Sequence, residues 1–137
     1  MMELMRRLME RTAAFRAAMW GCVVLLAVLS LLPADEMVRT GLSNLIEHAV
    51  AYAGTALLAG LGYRERGPGW IGAALVAYAG ALELLQDFSP GRHSAVGDWL
   101  ASSAGALLGV WVAHFAPVFA PRSASVARRP GDAGDAR

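Results

Sequence analysis

The chain has 137 residues, of which 56% are hydrophobic and only 17% charged, and its mean hydropathy is +0.44. A soluble domain carries about 25% charged residues, so this composition excludes an ordinary water-soluble globule and predicts a membrane protein. The 12 basic residues, all Arg, against 11 acids give a net charge of +1 and no general affinity for nucleic acid, and one Cys excludes a disulfide framework.

The chain begins with a basic segment, residues 1–16, that we expect to lie in the cytoplasm or at the membrane interface. In the interfacial alternative, residues 2–15 form an amphipathic helix with Leu4, Met5, Leu8 and Met9 opposite the Arg residues. Four apolar runs follow, at residues 17–34, 40–63, 67–82 and 99–121. With its flanks, each run supplies about 20 residues, which is enough for a helix to cross a hydrocarbon core of roughly 30 Å. The runs show no alternation with period 2. The predicted fold class is therefore all-α, with a four-helix transmembrane domain over residues 17–119.

The links between the runs are short and polar, at residues 33–39, 64–68 and 87–97. Consecutive helices joined by short links are antiparallel neighbours, which predicts an up-down bundle. The last segment, residues 120–137, has no apolar face to bury and is predicted to be a disordered cytoplasmic tail.

Small residues indicate how the helices pack, because helices in lipid associate through close backbone contact. A row at every fourth position of helix four is formed by Ala101, Gly105, Gly109 and Ala113. A similar row on helix three is formed by Ala73, Ala77 and Ala81. We expect both rows to face neighbouring helices.

The distribution of charge predicts the orientation. The N-terminal segment, the second link and the tail hold ten Arg and five acids, a net charge of +5. The other two links and the helix ends beside them hold two Arg and six acids, a net charge of −4. Because Arg-rich segments stay in the cytoplasm, we expect a multi-pass protein of the cell (inner or plasma) membrane with both termini cytoplasmic.

Ionisable side chains inside apolar spans are costly to bury and are therefore candidates for a functional site. In the expected topology they fall on the outer side, at the start of helix two, the end of helix three and the start of helix four. At about 1.5 Å per residue they lie roughly one turn below the outer surface, which predicts a shallow pocket that opens outward. The candidate ligand-binding residues are Glu47, His48, Tyr52, Glu83, Gln86, Arg92, Asp98 and Ser102.

Two stretches carry a family resemblance, NLIEHAVAY at residues 44–52 and ELLQDFSPGR at residues 83–92, followed by Asp98 and by Gly105 and Gly109. Together they resemble the VanZ-like family, whose pattern is E-H-x-x-x-Y on one helix, E-x-x-Q on the next, then P-x-R and D. The resemblance implies a small multi-span bacterial membrane protein, and the family's named member is associated with resistance to the glycopeptide antibiotic teicoplanin. Leu45 stands where the family often has Lys, and Ser102 where it usually has Asn.

The residues leave several functions open. In one, Arg92 binds an anionic group of a lipid-linked cell-envelope ligand or of a glycopeptide-type ligand, with membrane lipids along the apolar faces, and supports envelope physiology or antibiotic tolerance. In another, His48 is a general base with Glu83 or Asp98 in an extracytoplasmic hydrolase or transferase. A variant makes these three catalytic candidates ligands of a divalent metal ion, without Glu47, which points about 100° away from His48. In the last, the polar network only holds the helices together.

Overall fold

The computed structural model of the chain describes residues 2–36 and 41–115. Over these residues the chain forms four α-helices and no strand, which confirms the predicted all-α class. The helices are α1 (Met2–Leu31), α2 (Asn44–Gly62), α3 (Pro68–Gln86) and α4 (Val96–Phe115). All four are long and apolar enough, by length and composition, to cross a membrane. The predicted tail at residues 120–137 and the end of the fourth predicted span lie outside the described residues.

The first helix is longer than predicted, because it begins at Met2 rather than at residue 17. Glu3 lies 3.0 Å from Arg6 and 2.9 Å from Arg7, one turn further along the helix. Ion pairs at this spacing stabilise a helical surface. The basic segment and the first span are therefore one continuous helix of 30 residues.

The closest helix pair is α2 with α4. Gly105 lies against the carbonyl oxygen of Ala49, and Gly109 against that of Ala53, so that a Cβ atom at either glycine would overlap the oxygen. The small residues of helix four thus bring two backbones into contact, as predicted. Each step of four residues along α4, from Gly105 to Gly109, matches a step of four along α2, from Ala49 to Ala53. The two helices therefore lie side by side and run in the same direction.

The third helix packs through a different face from the predicted one. Its row of Ala73, Ala77 and Ala81 is exposed, so that expectation is wrong. The buried face is formed by Ile71, Gly72, Leu75, Ala79, Leu82, Glu83 and Gln86. The physical reason is that Glu83 meets His48 and the backbone N–H of Ala95 inside the bundle, so the face that carries Glu83 and Gln86 turns inward and the alanine row turns outward.

Hydrogen bonds to backbone carbonyls fix α1 to the other helices at three levels. Arg16 Nε donates to the carbonyl oxygen of Gly62 at 2.7 Å, near the end of α2. Tyr78 of α3 donates its hydroxyl to the carbonyl oxygen of Val23 at 2.6 Å. After α3, Ser89 donates its hydroxyl to the carbonyl oxygen of Leu31 at 3.0 Å. These contacts hold the end of α1 beside the link between α3 and α4.

Candidate functional site

Three helix ends meet at one end of the bundle, and the polar side chains predicted for the site come together there. The start of α2 contacts the start of α4 through a hydrogen bond from the Asn44 amide to the Asp98 carboxylate. The end of α3 joins them because Glu83 Oε2 accepts a hydrogen bond of 3.2 Å from the backbone N–H of Ala95. The structure therefore brings one carboxylate from α3 and one from α4 to the same place as the polar start of α2.

His48 lies between these two carboxylates. Its Nδ1 atom is 4.0 Å from Glu83 Oε1, and its Nε2 atom is 3.9 Å from Asp98 Oδ2. The three side chains are largely buried, with exposed fractions of 16%, 8% and 15% for His48, Glu83 and Asp98. We call these three residues the His48 cluster. They are the set that the sequence favoured for catalysis or metal binding.

Each member of the His48 cluster is held by one hydrogen bond from outside it. His48 Nδ1 lies 3.1 Å from Ser102 Oγ on α4. Asp98 accepts a hydrogen bond from Asn44, and Glu83 accepts one from the backbone of Ala95. The orientation of all three side chains is therefore set by the protein.

Ser102, His48 and Asp98 resemble the hydroxyl, imidazole and carboxylate of serine hydrolases, which are recognised by their geometry. A nucleophilic hydroxyl must reach the substrate. Ser102 is only 1% exposed and lies behind the imidazole, so its hydroxyl does not reach the outside of the bundle. Its role in this geometry is to position His48.

A polar cleft of about 470 Å³ opens beside the cluster. Its polar walls include Asn44, Glu47, Gln86, Arg92, His93 and Asp98. Four of these, Glu47, Gln86, Arg92 and Asp98, are residues that the sequence predicted for the site. The cleft thus carries charges of both signs beside amide groups.

Gln86 is the most enclosed polar group of this cleft. The residue is 2% exposed, and its Nε2 atom has no hydrogen-bond acceptor within residues 2–36 and 41–115. A buried donor without a partner destabilises a fold by about 1–3 kcal/mol. An acceptor oxygen of a ligand in the cleft would relieve this penalty.

A smaller cavity of about 130 Å³ lies between α1 and α2, and we call it the slot. Leu26 and Leu29 of α1, with Leu32 just after its end, supply its apolar side. Three polar residues line both the slot and the cleft, so that the two cavities adjoin; they are Asn44, Glu47 and Arg92. The polar cleft therefore adjoins a slot that has one apolar wall.

Tyr52 and Glu47, also predicted for the site, are not members of the His48 cluster. Tyr52 is 2% exposed in the apolar core, with its ring centroid 6.5 Å from that of Tyr78, and it lines neither the cleft nor the slot. Glu47 lines both cavities but is absent from the group of donors that His48 forms with the other carboxylates. Helical geometry explains this, because adjacent residues on a helix point about 100° apart.

The link between α3 and α4 is shaped by its own hydrogen bonds. The Asp87 carboxylate accepts one of 2.7 Å from the backbone N–H of Ser94 and one of 3.0 Å from the Ser94 hydroxyl. These bonds hold the pKa of Asp87 below its usual value, the backbone bond contributing most. Gly91 has a φ of +72°, a left-handed conformation that favours glycine, so the chain turns there before Arg92.

Sequence reasoning missed two groups that orient the site. Asn44 lies four residues before His48, and residues four apart lie on the same face of a helix. That signal was present in the sequence. The backbone N–H of Ala95 carries no signal in the residue types, because any residue at that position donates the same group.

Comparison of the chain with family models, with curated proteins and with solved structures finds no match. The resemblance to the VanZ-like family therefore stays a prediction, which depends on the spacing of Glu47, His48 and Tyr52 and on that of Glu83 and Gln86.

Proposed function

We propose that this chain is a multi-pass membrane protein of VanZ-like type whose outward-facing cleft binds the polar headgroup of an amphiphilic cell-envelope ligand. The observation that carries the proposal is that the two cavities share a wall, since Asn44, Glu47 and Arg92 line both the cleft and the slot. Ligand sites are concave and mostly apolar, with a few placed polar groups that fix orientation. A ligand with a polar head and an apolar chain matches a polar cleft that adjoins a slot with a leucine-lined wall.

The proposed arrangement in the membrane is an up-down bundle with both termini in the cytoplasm. Its support is the separation of charge along the bundle. Arg16 and Glu65 pair at 2.7 Å beside the end of α2, whereas Glu83 and Asp98 lie near its start. With the Arg-rich end in the cytoplasm, the cleft opens on the side where lipid-linked envelope precursors and glycopeptide antibiotics are met.

Arg92 is the residue that we assign to the anionic part of the headgroup. It is half-buried in the wall shared by the cleft and the slot, at the level where an acyl or prenyl chain would leave the polar cleft. A guanidinium binds phosphate or carboxylate through two parallel hydrogen bonds, which fixes the orientation of the ligand. Gln86 would donate its buried amide N–H to a further oxygen of the headgroup.

The test is binding of the purified full chain to phosphatidylcholine vesicles that contain a polyprenyl phosphate, with teicoplanin as a second, soluble probe. Arg92→Ala should weaken binding at least about tenfold, which corresponds to about 1.4 kcal/mol. Arg66→Ala is the matched control, because Arg66 lies near α3's start, over the ring of Trp70. Equal binding by wild type and Arg92→Ala would contradict the assignment.

A second pair of variants tests the slot. Ala51 lines the slot on the α2 side, so Ala51→Leu should fill part of its volume and weaken binding of the prenyl probe. Ala77→Leu, at an exposed position of α3, adds the same side chain away from both cavities and should bind as wild type does. If both variants bind the prenyl probe like wild type, the apolar part of the ligand does not enter the slot.

A second candidate function, an extracytoplasmic hydrolase or transferase, is favoured by the position of His48 between two carboxylates. In such an enzyme His48 would accept a proton from the attacking water or hydroxyl, and a carboxylate would stabilise the imidazolium. Release of phosphate from the polyprenyl phosphate vesicles by wild type, and its loss in His48→Gln with binding retained, would support catalysis. Binding of the probe without its turnover supports the first function. If wild type binds neither probe and the variants unfold, the polar residues form a structural network only.

A further inference from the structure

We propose that the His48 cluster binds a divalent metal ion, and that zinc is the ion its donor set suits. One ring nitrogen of His48 and one carboxylate oxygen each from Glu83 and Asp98 all lie within 4.8 Å of one another. Zinc binds imidazole nitrogen and carboxylate oxygen at about 2.0–2.2 Å. A shift of about 1 Å in these side chains therefore brings three donors to one ion, and leaves its fourth position open.

The outer hydrogen bonds of the cluster are those that a metal site uses. An imidazole that binds a metal donates its other N–H to an oxygen, which sets its tautomer, and coordinating carboxylates are themselves hydrogen-bonded. Ser102 Oγ lies 3.1 Å from His48 Nδ1, the ring atom that also faces Glu83, so the nitrogen assigned to the ion is Nε2, which faces Asp98. Asn44 and the backbone of Ala95 hold the two carboxylates.

The charge of the cluster gives an independent argument. Among the described residues, Glu83 and Asp98 each make an ion-pair contact with the same imidazole, that of His48. A neutral His48 provides no positive charge, and a protonated one provides half of what two carboxylates require. Two buried carboxylates beside one imidazole are stabilised by a dication, which matches their charge.

The location of the cluster connects the ion to the outside. His48 lines the slot and Asp98 lines the cleft, so the cluster lies between the two cavities. An ion held there can be reached through the cleft and keeps a coordination position toward it. This inference goes beyond the proposed ligand and does not depend on it, because the metal donors do not include Arg92.

The experiment uses the full chain in mild detergent, stripped with a chelator and titrated with Zn²⁺ against a chromophoric chelator. We expect one zinc ion per chain after dialysis, measured by mass spectrometry of the metal. His48→Gln, Glu83→Gln and Asp98→Asn should each lower zinc affinity by at least about 100-fold, and Ser102→Ala by roughly 10–100-fold as an outer partner. The matched controls are His93→Gln, in the wall of the same cleft, and Asp35→Asn, in an exposed link; both should bind zinc as wild type does.

Thermal unfolding with and without zinc keeps the test informative where a variant is unstable. The midpoint of wild type should rise when zinc is added, and that of a folded His48→Gln chain should not. Cobalt in place of zinc should give wild type a visible absorption spectrum that reports imidazole and carboxylate ligation. His48→Gln should not show this spectrum. Absence of stoichiometric zinc and of a cobalt spectrum in wild type overturns the proposal, and so does unchanged affinity in His48→Gln.

The outcome is separable from that of the proposed function. Arg92→Ala should lose headgroup binding and keep its zinc, whereas His48→Gln should lose zinc. A chain that binds zinc but no amphiphile refutes the proposed ligand alone. A chain that binds the prenyl probe with no metal refutes the metal site alone.

Discussion

The Nδ1 atom of His48 on α2 lies 3.1 Å from the Oγ atom of Ser102 on α4. This hydrogen bond crosses the closest helix pair of the bundle, one turn inside the end where the carboxylates meet. It links packing to the site, since the contact that orients the imidazole also joins the two helices.

The chain offers a matched pair of serines to test this bond. Ser102→Ala should lower the free energy of unfolding by roughly 1 kcal/mol, because a buried hydrogen bond is lost. Ser103→Ala, one position along α4, removes a buried hydroxyl that has no partner within the described part of the chain. Its stability should be unchanged or slightly higher. Unfolding by a denaturing detergent compares the two, and equal losses would contradict the assignment.

Close contact of α2 with α4 predicts sensitivity to a single methyl group. Gly105→Ala places a Cβ atom against the backbone oxygen of Ala49, so the helices must separate. Overpacking of this kind destabilises by about 1–3 kcal/mol. Gly54→Ala is the control, because nothing lies within 4 Å of its added Cβ atom and a helix gains about 0.5–1 kcal/mol from the change. A stable Gly105→Ala chain would show that the helices are further apart.

The hydroxyl of Tyr78 ties α3 to the middle of α1. Tyr78→Phe removes the 2.6 Å hydrogen bond to the carbonyl oxygen of Val23 and should cost roughly 0.5–1.5 kcal/mol. Cys22, half-buried next to Val23 on α1, is a native probe of the same place. Its rate of alkylation by a maleimide in detergent should rise in Tyr78→Phe as α1 loosens. An unchanged rate would mean that the bond does not hold α1 in position.

Asp87 makes the link between α3 and α4 sensitive to acid. Its pKa is lowered in the folded chain, chiefly by the backbone N–H of Ser94. A carboxylate with a lowered folded pKa contributes stability that is present above its unfolded pKa and is lost as pH falls through its folded pKa. Asp87→Asn should therefore flatten the acid limb of stability against pH.

The partner and control for this prediction lie nearby. Ser94→Ala removes the 3.0 Å side-chain bond and should give a smaller change of the same sign. Ser43→Ala is the control, because Ser43 precedes α2 without a side-chain capping bond. The unfolding midpoint measured from neutral to acid pH separates the three variants, and an acid limb of unchanged slope in Asp87→Asn would contradict the prediction.

Much of the fold was predictable because apolar runs of about 20 residues define helices almost by themselves. The continuity of the basic segment with the first span was not, since Arg residues interrupt the apolar run while their pairs with Glu3 continue the helix. The rotation of α3 about its axis was also missed. Residue size alone favoured a face built on Ala77, but the inward position of Glu83 decided the orientation.

The level of the candidate site along the helices was predictable from the sequence, and the contacts of its side chains were less so. The positions of His48, Glu83 and Asp98 along their helices placed them at one level, and the structure brings them together. The burial of Tyr52 against Tyr78 depends on how two helices are rotated, which hydropathy does not determine. The partner of each donor depends on side-chain contacts between helices that are distant in the chain.

The order of the helices along the chain gives the contact of α2 with α4 a further meaning. The two helices touch along their small residues, yet α3 separates them in the order in which the ribosome makes them. His48 and Glu83 thus leave the ribosome before Asp98 and Ser102 do. The arrival of α4 completes the pocket, so a chain truncated after α3 would carry His48 and Glu83 without their partners in and just before α4. The site is therefore assembled only when the last of the four described helices has docked against α2.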